Sequence, residues 1–304
     1  MSIRDRLIRL LYLTGLSVLA RHLLASRARF TLLFHGVSTY YHTALPAKVQ
    51  PSLSIDELHN ILSWLQSRFT FLTPQEFLTT DKPGVLLTFD DGLANNVTNV
   101  LPVLEVFGAP AIFFISTQHV TDPRDWLPAI RKIACSNWED ITDVPDDFAV
   151  DFYDGMSADQ LAACAKHPLI TIGSHTVSHP FLTQCTPETL TFELTESKRV
   201  LEKITGQTVD LFAYPTGDYN QPVAEAVRQA GYRAAFAVDS KNVDMPAFEI
   251  PRIGIYQSDP AYISLKLSGL YRRPVYGLHR EYKFFLPVSL RNKISEKLLR
   301  RWIR

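Results

Sequence analysis

Seven short apolar runs rich in β-branched and aromatic residues recur between residues 30 and 253, and the stretches between them carry helical patterns. The runs are 30–34, 84–89, 111–115, 169–173, 209–213, 233–237 and 249–253. Their continuous apolar character predicts strands buried on both faces, the situation of a parallel sheet with helices on its outside. Helix starts are written between them. Ser54 and Glu57 predict a capping box ahead of Leu58, Ile61, Leu62 and Leu65. Thr73-Pro74 and Thr186-Pro187 pair an N-cap with proline at the first helical position, and the second helix is predicted to run to about Ile204 and stop at Gly206. Seven strands, nearly all followed by a helix, imply an α/β barrel or a strongly curved sheet, with chemistry at the C-terminal ends of the strands. The one long interruption, 122–157, is rich in Asp, Pro and Trp and reads as a loop inserted over a barrel mouth.

At 304 residues the chain accommodates one such domain, 30–258, between an N-terminal basic amphipathic segment, 1–29, and a C-terminal basic helical extension, 259–304. Lys+Arg and Asp+Glu balance at 31 each, which argues against a nucleic-acid partner. Three cysteines, Cys135, Cys164 and Cys185, lack CxxC spacing and read as reduced thiols. The apolar run 10–20 is too short to span a bilayer and has no clean cleavage site after it. Residues 289–304 hold six Lys or Arg against one Glu, with apolar residues at near-helical spacing. Such a helix lies on an anionic membrane surface or packs on its own domain. A cytoplasmic location with peripheral contact at the inner membrane face is the expectation.

Two motifs carry chemistry. The run 84–89 leads into Asp90-Asp91-Gly92, and two carboxylates behind an apolar strand are costly unless something pairs with them. Gly92 allows a turn that separates the pair, leaving one to bind a metal and one to take a proton; solvated turn aspartates are the alternative. The run 169–173 leads into Ser174-His175-Thr176-Val177-Ser178-His179. Histidines at i and i+4 of a helical turn share a face and can grip one ion. Asp91, His175 and His179 would then form a two-histidine, one-carboxylate site with a position open for water.

Thr88-Phe89-Asp90-Asp91-Gly92 followed by Ser174-His175-Thr176-Val177-Ser178-His179 resembles the first two motifs of the polysaccharide deacetylases, the NodB-homology group or carbohydrate esterase family 4. Phe212-Ala213-Tyr214-Pro215-Thr216-Gly217 is similar to the third motif, and the segments 101–104 and 108–114 look like the family's helix and following strand. The resemblance covers about residues 30–256. It implies a distorted (β/α)7-type barrel that removes N-acetyl groups from the aminosugars of a polysaccharide, oligosaccharide or lipid-linked glycan. It further implies Asp90 as general base and Asp91, His175 and His179 as ligands to a divalent metal, Zn2+ first, with Co2+, Ni2+ or Fe2+ as alternatives. A backbone N–H near Tyr214 and Pro215 would hold the oxyanion, although Tyr214 is equally readable as a packed core aromatic.

Three departures matter. The family's late Leu-x-His acid is absent, and Leu33-Phe34-His35-Gly36-Val37 instead resembles the YHxV segment of a permuted subgroup that includes poly-N-acetylglucosamine deacetylases. That makes His35 the expected general acid, with a backbone-bonded core histidine as the alternative. Position 213 is Ala where many members carry the arginine that orients the base; Arg252 is the candidate to supply that charge, or else a structural ion-pair residue. The fourth motif, with its tryptophan, has no match. A sugar N-deformylase or O-deacetylase on the same scaffold and a non-catalytic glycan-binding relative are the rival readings.

Overall fold

Seven parallel strands close on themselves. The computed structural model describes residues 3–16, 29–39, 53–121, 154–238 and 246–268. Most of the 122–157 interruption, the 289–304 extension and Cys135 fall outside the described residues. The strands are β1 (Arg29–Phe34), β2 (Val37–Ser38), β3 (Leu53–Ser54), β4 (Gly84–Phe89), β5 (Ala111–Ile115), β6 (Ile170–Ser174), β7 (Leu211–Ala213), β8 (Ala234–Val238) and β9 (Ile250–Gly254). The barrel order is β1-β4-β5-β6-β7-β8-β9, and β2 with β3 makes a separate parallel pair. The seam is parallel too, with Thr31 of β1 opposite both Leu86 of β4 and Arg252 of β9. The described helices are α1 (Ile3–Leu13), α2 (Ile55–Gln66), α3 (Pro74–Thr79), α4 (Leu101–Phe107), α5 (Thr117–Thr121), α6 (Ala158–Ala165), α7 (Pro187–Thr205), α8 (Gln221–Gln229) and α9 (Pro260–Leu267). The expected α/β barrel is the fold observed.

The strands of the barrel are buried on both faces, as their composition requires, except β9, where Pro251 and Ile253 are only partly buried. All six residues of β4 and all five of β5 are buried. Alternate residues go inward: Leu86, Ile112, Phe114, Leu211, Ala213, Ala234, Phe236 and Ile250 pack with Leu72 and Phe77 of the α3 region. Segment 70–72 is hydrogen-bonded to Val85 at the start of β4, so Leu72 and Phe77 stop the N-terminal mouth of the barrel. The outward residues Phe212, Tyr214, Ala235 and Ala237 instead join Leu194, Val223 and Val227 beneath α7 and α8.

The helix signals operate as read. Ser54 accepts the Glu57 N–H at 3.3 Å while Glu57 accepts the Ser54 N–H at 3.0 Å. Thr73 and Glu76 repeat the box, and Ser157 with Gln160 forms a third that starts α6. Helix α7 begins on the Thr186 cap and stops at Gly206 in a left-handed conformation, φ 68°. Strand β7 is two residues shorter than its apolar run. Val209 is held by α7 instead, its N–H donating to Glu202 (3.1 Å) and its carbonyl accepting from Lys198 (2.6 Å).

By internal packing the chain divides into a barrel unit, 27–260, and a second unit of 1–26 with 261–304. Within the second unit, α1 exposes Leu10 and Leu13, and Leu16 just beyond it is exposed as well. No described helix is long and apolar enough to cross a membrane. Cys164 and Cys185 are free thiols.

Gly173 marks a tight point of the barrel interior, where a Cβ would collide with the Phe114 ring. Gly173→Ala is expected to lower the unfolding free energy by about 1–3 kcal/mol through overpacking, read as a lower urea midpoint at unchanged slope.

Candidate metal centre

The two adjacent aspartates leave β4 in different directions, and backbone geometry is the reason. Asp90 continues the strand for one more residue, its N–H donating to the Phe34 carbonyl at 3.0 Å. Asp91 then takes φ 81° and Gly92 φ 78°. The sequence assigned this turn to Gly92 alone; the structure spreads it over both residues, and Asp91 occupies a region few non-glycine residues enter. The Asp91 carbonyl is tied down by the Ser116 N–H at 3.4 Å.

Asp90 meets Arg252, which rises from β9 through the barrel interior and is fully buried. The guanidinium grips the carboxylate with both ends, Nη1 to Oδ1 at 2.6 Å and Nη2 to Oδ2 at 2.9 Å. The guanidinium carbon also lies 5.4 Å from the centre of the Phe114 ring. Burial pushes the Asp90 carboxyl pKa up, but the charge and hydrogen bonds of Arg252 lead the opposing pulls and the net shift is downward. Position 213 faces the same interior as Ala213. The positive charge beside Asp90 comes from β9 and not from β7.

Asp91 faces the histidines instead. Its Oδ1 lies 3.7 Å from His175 Nε2 and 3.7 Å from His179 Nε2. The expected helical turn between the histidines is absent. Residues 175–179 form an irregular loop with Thr176 at φ 72° and His179 at φ 57°, and the two rings meet edge to face with centroids 4.9 Å apart. A buried carboxylate, Glu193 of α7, captures the loop's N–H groups at Val177 and Ser178 and takes them out of any helical pattern. His175 Nδ1 lies 2.8 Å from the Ala213 carbonyl, which can only accept, so the proton is on Nδ1 and the Nε2 lone pair faces Asp91. Burial pulls the His175 pKa down to about 3, so the ring is neutral, the form a metal needs.

The donors fit a small divalent ion. Donor atoms of Asp91, His175 and His179 all lie within 4.8 Å of one another. Ligands about 2.1 Å from a tetrahedral ion sit roughly 3.4 Å apart, close to the 3.7 Å separations here. Burial also raises the Asp91 pKa, against the pull of His35 and His179 and with the repulsion of Asp90. A carboxylate in that position calls for a cation beside it.

His35 follows β1 at the same end of the barrel, half-buried, with its ring near-parallel to Tyr256 at 6.4 Å. It is close enough to favour the ionised form of both aspartates. The backbone of His35 and Val37 is clamped by three buried asparagines that the sequence motifs did not include. Asn96 donates to the His35 carbonyl (3.1 Å), Asn99 donates to the Val37 carbonyl (2.7 Å), and Asn95 accepts the Val37 N–H (3.2 Å). Asn96 to Val100 form a π-helical stretch leading into α4, a distortion that recurs at functional sites. Polar residues at 95, 96 and 99, just before an apolar helix, were the available signal.

Tyr214 and Pro215 do not serve as expected. The Tyr214 N–H is already donated to the Phe236 carbonyl at 3.0 Å, and its ring is wholly buried among the outward aromatics with the hydroxyl bonded to the Phe248 carbonyl at 2.9 Å. Pro215 has no N–H to offer. Tyr214 lies outside the site because β7 alternation turns Ala213 inward and Phe212 and Tyr214 outward.

Arg252→Met would leave Asp90 buried and unpaired, at an expected cost of about 3–5 kcal/mol of stability at neutral pH. In the wild type the depressed Asp90 pKa gives stability that is present above the unfolded carboxylate range and lost as pH falls through the folded pKa. In the variant, protonating Asp90 relieves the penalty instead. The gap between the two proteins should therefore narrow as pH is lowered through the carboxylate range, measured by denaturant unfolding at a series of pH values.

Comparison with known proteins bears on the family and the fold. The sequence profile of the polysaccharide deacetylases matches residues 78–235. YxkH of Bacillus subtilis is 25% identical over 243 residues, covering 76% of this chain and 73% of YxkH. The poly-beta-1,6-N-acetyl-D-glucosamine N-deacetylase of Staphylococcus aureus is 26% identical over 228 residues, 69% of each chain. Among solved structures, the Streptococcus pyogenes deacetylase PplD in complex with acetate shares the fold with a TM-score of 0.59 at 20% identity, over 78% of this chain and 95% of PplD. With its barrel, its paired aspartates and its histidine loop inside the matched region or beside it, the chain belongs to the polysaccharide deacetylase family.

Proposed function

We propose that the protein is a divalent-metal-dependent N-deacetylase of an N-acetylhexosamine glycan, with Asp91, His175 and His179 as metal ligands, Asp90 as general base and His35 as general acid. The observation that carries the reading is the divergence of two adjacent carboxylates, one gripped by Arg252 and the other facing both histidines. Asp91, His175 and His179 would hold a divalent ion, with Zn2+ best suited to this donor set and Co2+, Ni2+ or Fe2+ compatible with it, and the ion would supply Lewis acidity toward a water and the acyl carbonyl.

The remaining work falls to the chain's own groups. Arg252 holds Asp90 ionised and fixed in orientation, and Asp90 Oδ2, 3.7 Å from His175 Nε2, is the oxygen nearest the ligands to take a proton from the attacking water. His35, on the neighbouring strand end, gives a proton to the departing nitrogen, as in the permuted subgroup its segment resembles. With the Tyr214 N–H engaged, Thr216 is the next donor in the loop after β7, and this reading assigns the oxyanion to its N–H.

The substrate assignment leans on the Staphylococcus aureus relative, whose name specifies a poly-N-acetylglucosamine. The basic amphipathic pattern of residues 289–304 adds lipid-linked aminosugars at a membrane surface to the substrates to be tested. A sugar N-formyl or O-acetyl group would suit the same donors. A purely glycan-binding role is disfavoured because all three candidate ligands are present.

Acetate release from β-1,6- and β-1,4-linked N-acetylglucosamine oligomers and from lipid-linked aminosugars, with formate and O-acetyl controls, is the direct test. Release abolished by chelator and restored by Zn2+ is expected, and chelator-insensitive hydrolysis would overturn the metal reading. Asp90→Asn should retain metal while turnover falls about 10²-fold or more. His35→Ala should lose about 10²-fold or more on the amide and much less on an activated ester whose leaving group needs no proton. Equal losses on both substrates would remove the acid assignment.

A further inference from the structure

We infer that Glu193 sets the metal affinity of the site, as a positioning residue acting through the loop that carries His179. The inference rests on the metal reading above and concerns a residue of α7, not one of the candidate ligands.

Glu193 is 4% exposed, on the face of α7 that also buries Leu194, Ser197 and Leu201. Its carboxylate points at the end of β6. Oε2 accepts the Val177 N–H at 2.8 Å and the Ser178 N–H at 3.0 Å, and Oε1 accepts the Ser178 hydroxyl at 2.6 Å. Among the described residues no Lys, Arg or His pairs with it. A carboxylate this buried persists only if hydrogen bonds replace its water, and all three here come from the two residues midway between the histidines. Two consecutive N–H groups converging on one oxygen make a small anion nest, which fixes the backbone that presents them.

The loop needs such an anchor because its conformation is not one its residues choose alone. Thr176 and His179 both adopt positive φ without being glycine. Left to itself, the segment has reason to leave the left-handed region at both positions, and the direction of the His179 side chain would change with it. The two histidines differ in this respect. His175 is secured independently, its N–H donating to the Ile115 carbonyl at 2.9 Å and its ring bonded to the Ala213 carbonyl. His179 stands at the far end of the loop, beyond the two residues that Glu193 holds, where its N–H donates to Thr176 Oγ1 at 3.0 Å. One turn on from Glu193, Ser197 Oγ lies 2.9 Å from Ser174 Oγ, so α7 also holds the strand from which the loop departs. Loss of Glu193 should therefore release His179 and spare His175.

The test measures Zn2+ affinity of the purified full chain by competition with a chromophoric chelator, alongside the thermal midpoint of the metal-free protein. Glu193→Ala is expected to weaken Zn2+ binding about 10- to 100-fold. Glu193→Gln should weaken it roughly 5-fold, since one amide oxygen still accepts both N–H groups while the amide nitrogen cannot accept the Ser178 hydroxyl. In a His179→Ala background, Glu193→Ala should add less than about 2-fold, because the ligand it positions is already gone. A general structural role would instead give the same loss in both backgrounds, and that result overturns the inference. So does wild-type affinity in Glu193→Ala or, where that variant fails to fold, in Glu193→Gln. A wild-type chain that binds no divalent ion overturns the metal reading and this inference with it. Glu193-dependent Zn2+ affinity in a chain that releases no acetate overturns the proposed activity and leaves this inference standing.

Discussion

The contact on which the site depends is the bidentate pair between Arg252 and Asp90. Both groups are removed from water, and neither is tolerable there alone. The pair fixes the orientation of the first aspartate, and the left-handed turn at Asp91 and Gly92 then sends the second toward the histidines. Two chemically identical neighbours so acquire different surroundings, one gripped by a permanent cation and one facing imidazoles, with burial raising its pKa. Division of labour between paired carboxylates follows from environment alone.

Around this pair the protein uses backbone carbonyls and amides as rulers. The Ala213 carbonyl sets the His175 tautomer, and the Phe34 carbonyl extends the ladder to Asp90. The carbonyls of His35 and Val37 are held by asparagines. Each ruler sits at a strand end, where the sheet is rigid and the chain is about to leave it. That is where a side chain can be aimed most reproducibly.

Much of this was legible in the residues. The seven strand runs are near-continuous apolar stretches because parallel strands under helices have no wet face, and the capping boxes are local enough to be read from three residues' spacing. Asp91, His175 and His179 stood out because charge and imidazole behind apolar strands need a reason. Backbone conformation was not legible: nothing in the spacing of His175 and His179 distinguishes a helical turn from the irregular loop that Glu193 imposes from fourteen residues downstream. Of the two readings of Tyr214, the packed core aromatic is the one observed, and alternation along Phe212-Ala213-Tyr214 is what turns it away from the interior. Glu193 itself left a trace as an acidic residue among the core positions Leu194, Ser197 and Leu201 of its helix.

The seam of the barrel has a consequence for how the protein comes into being. Asp90 belongs to the second strand of the barrel and Arg252 to the last, with β1 between them. During synthesis the aspartates, both histidines and the first strand all exist before residue 252 is made. Until β9 docks, Asp90 has no counter-charge, and the barrel has two open edges rather than none. Closure is thus a pairing of high sequence separation, slow by topology, and it gives Asp90 its counter-charge as the barrel closes. A nascent chain, or one cut before residue 252, would carry every candidate ligand and still leave Asp90, the proposed base, without its counter-charge.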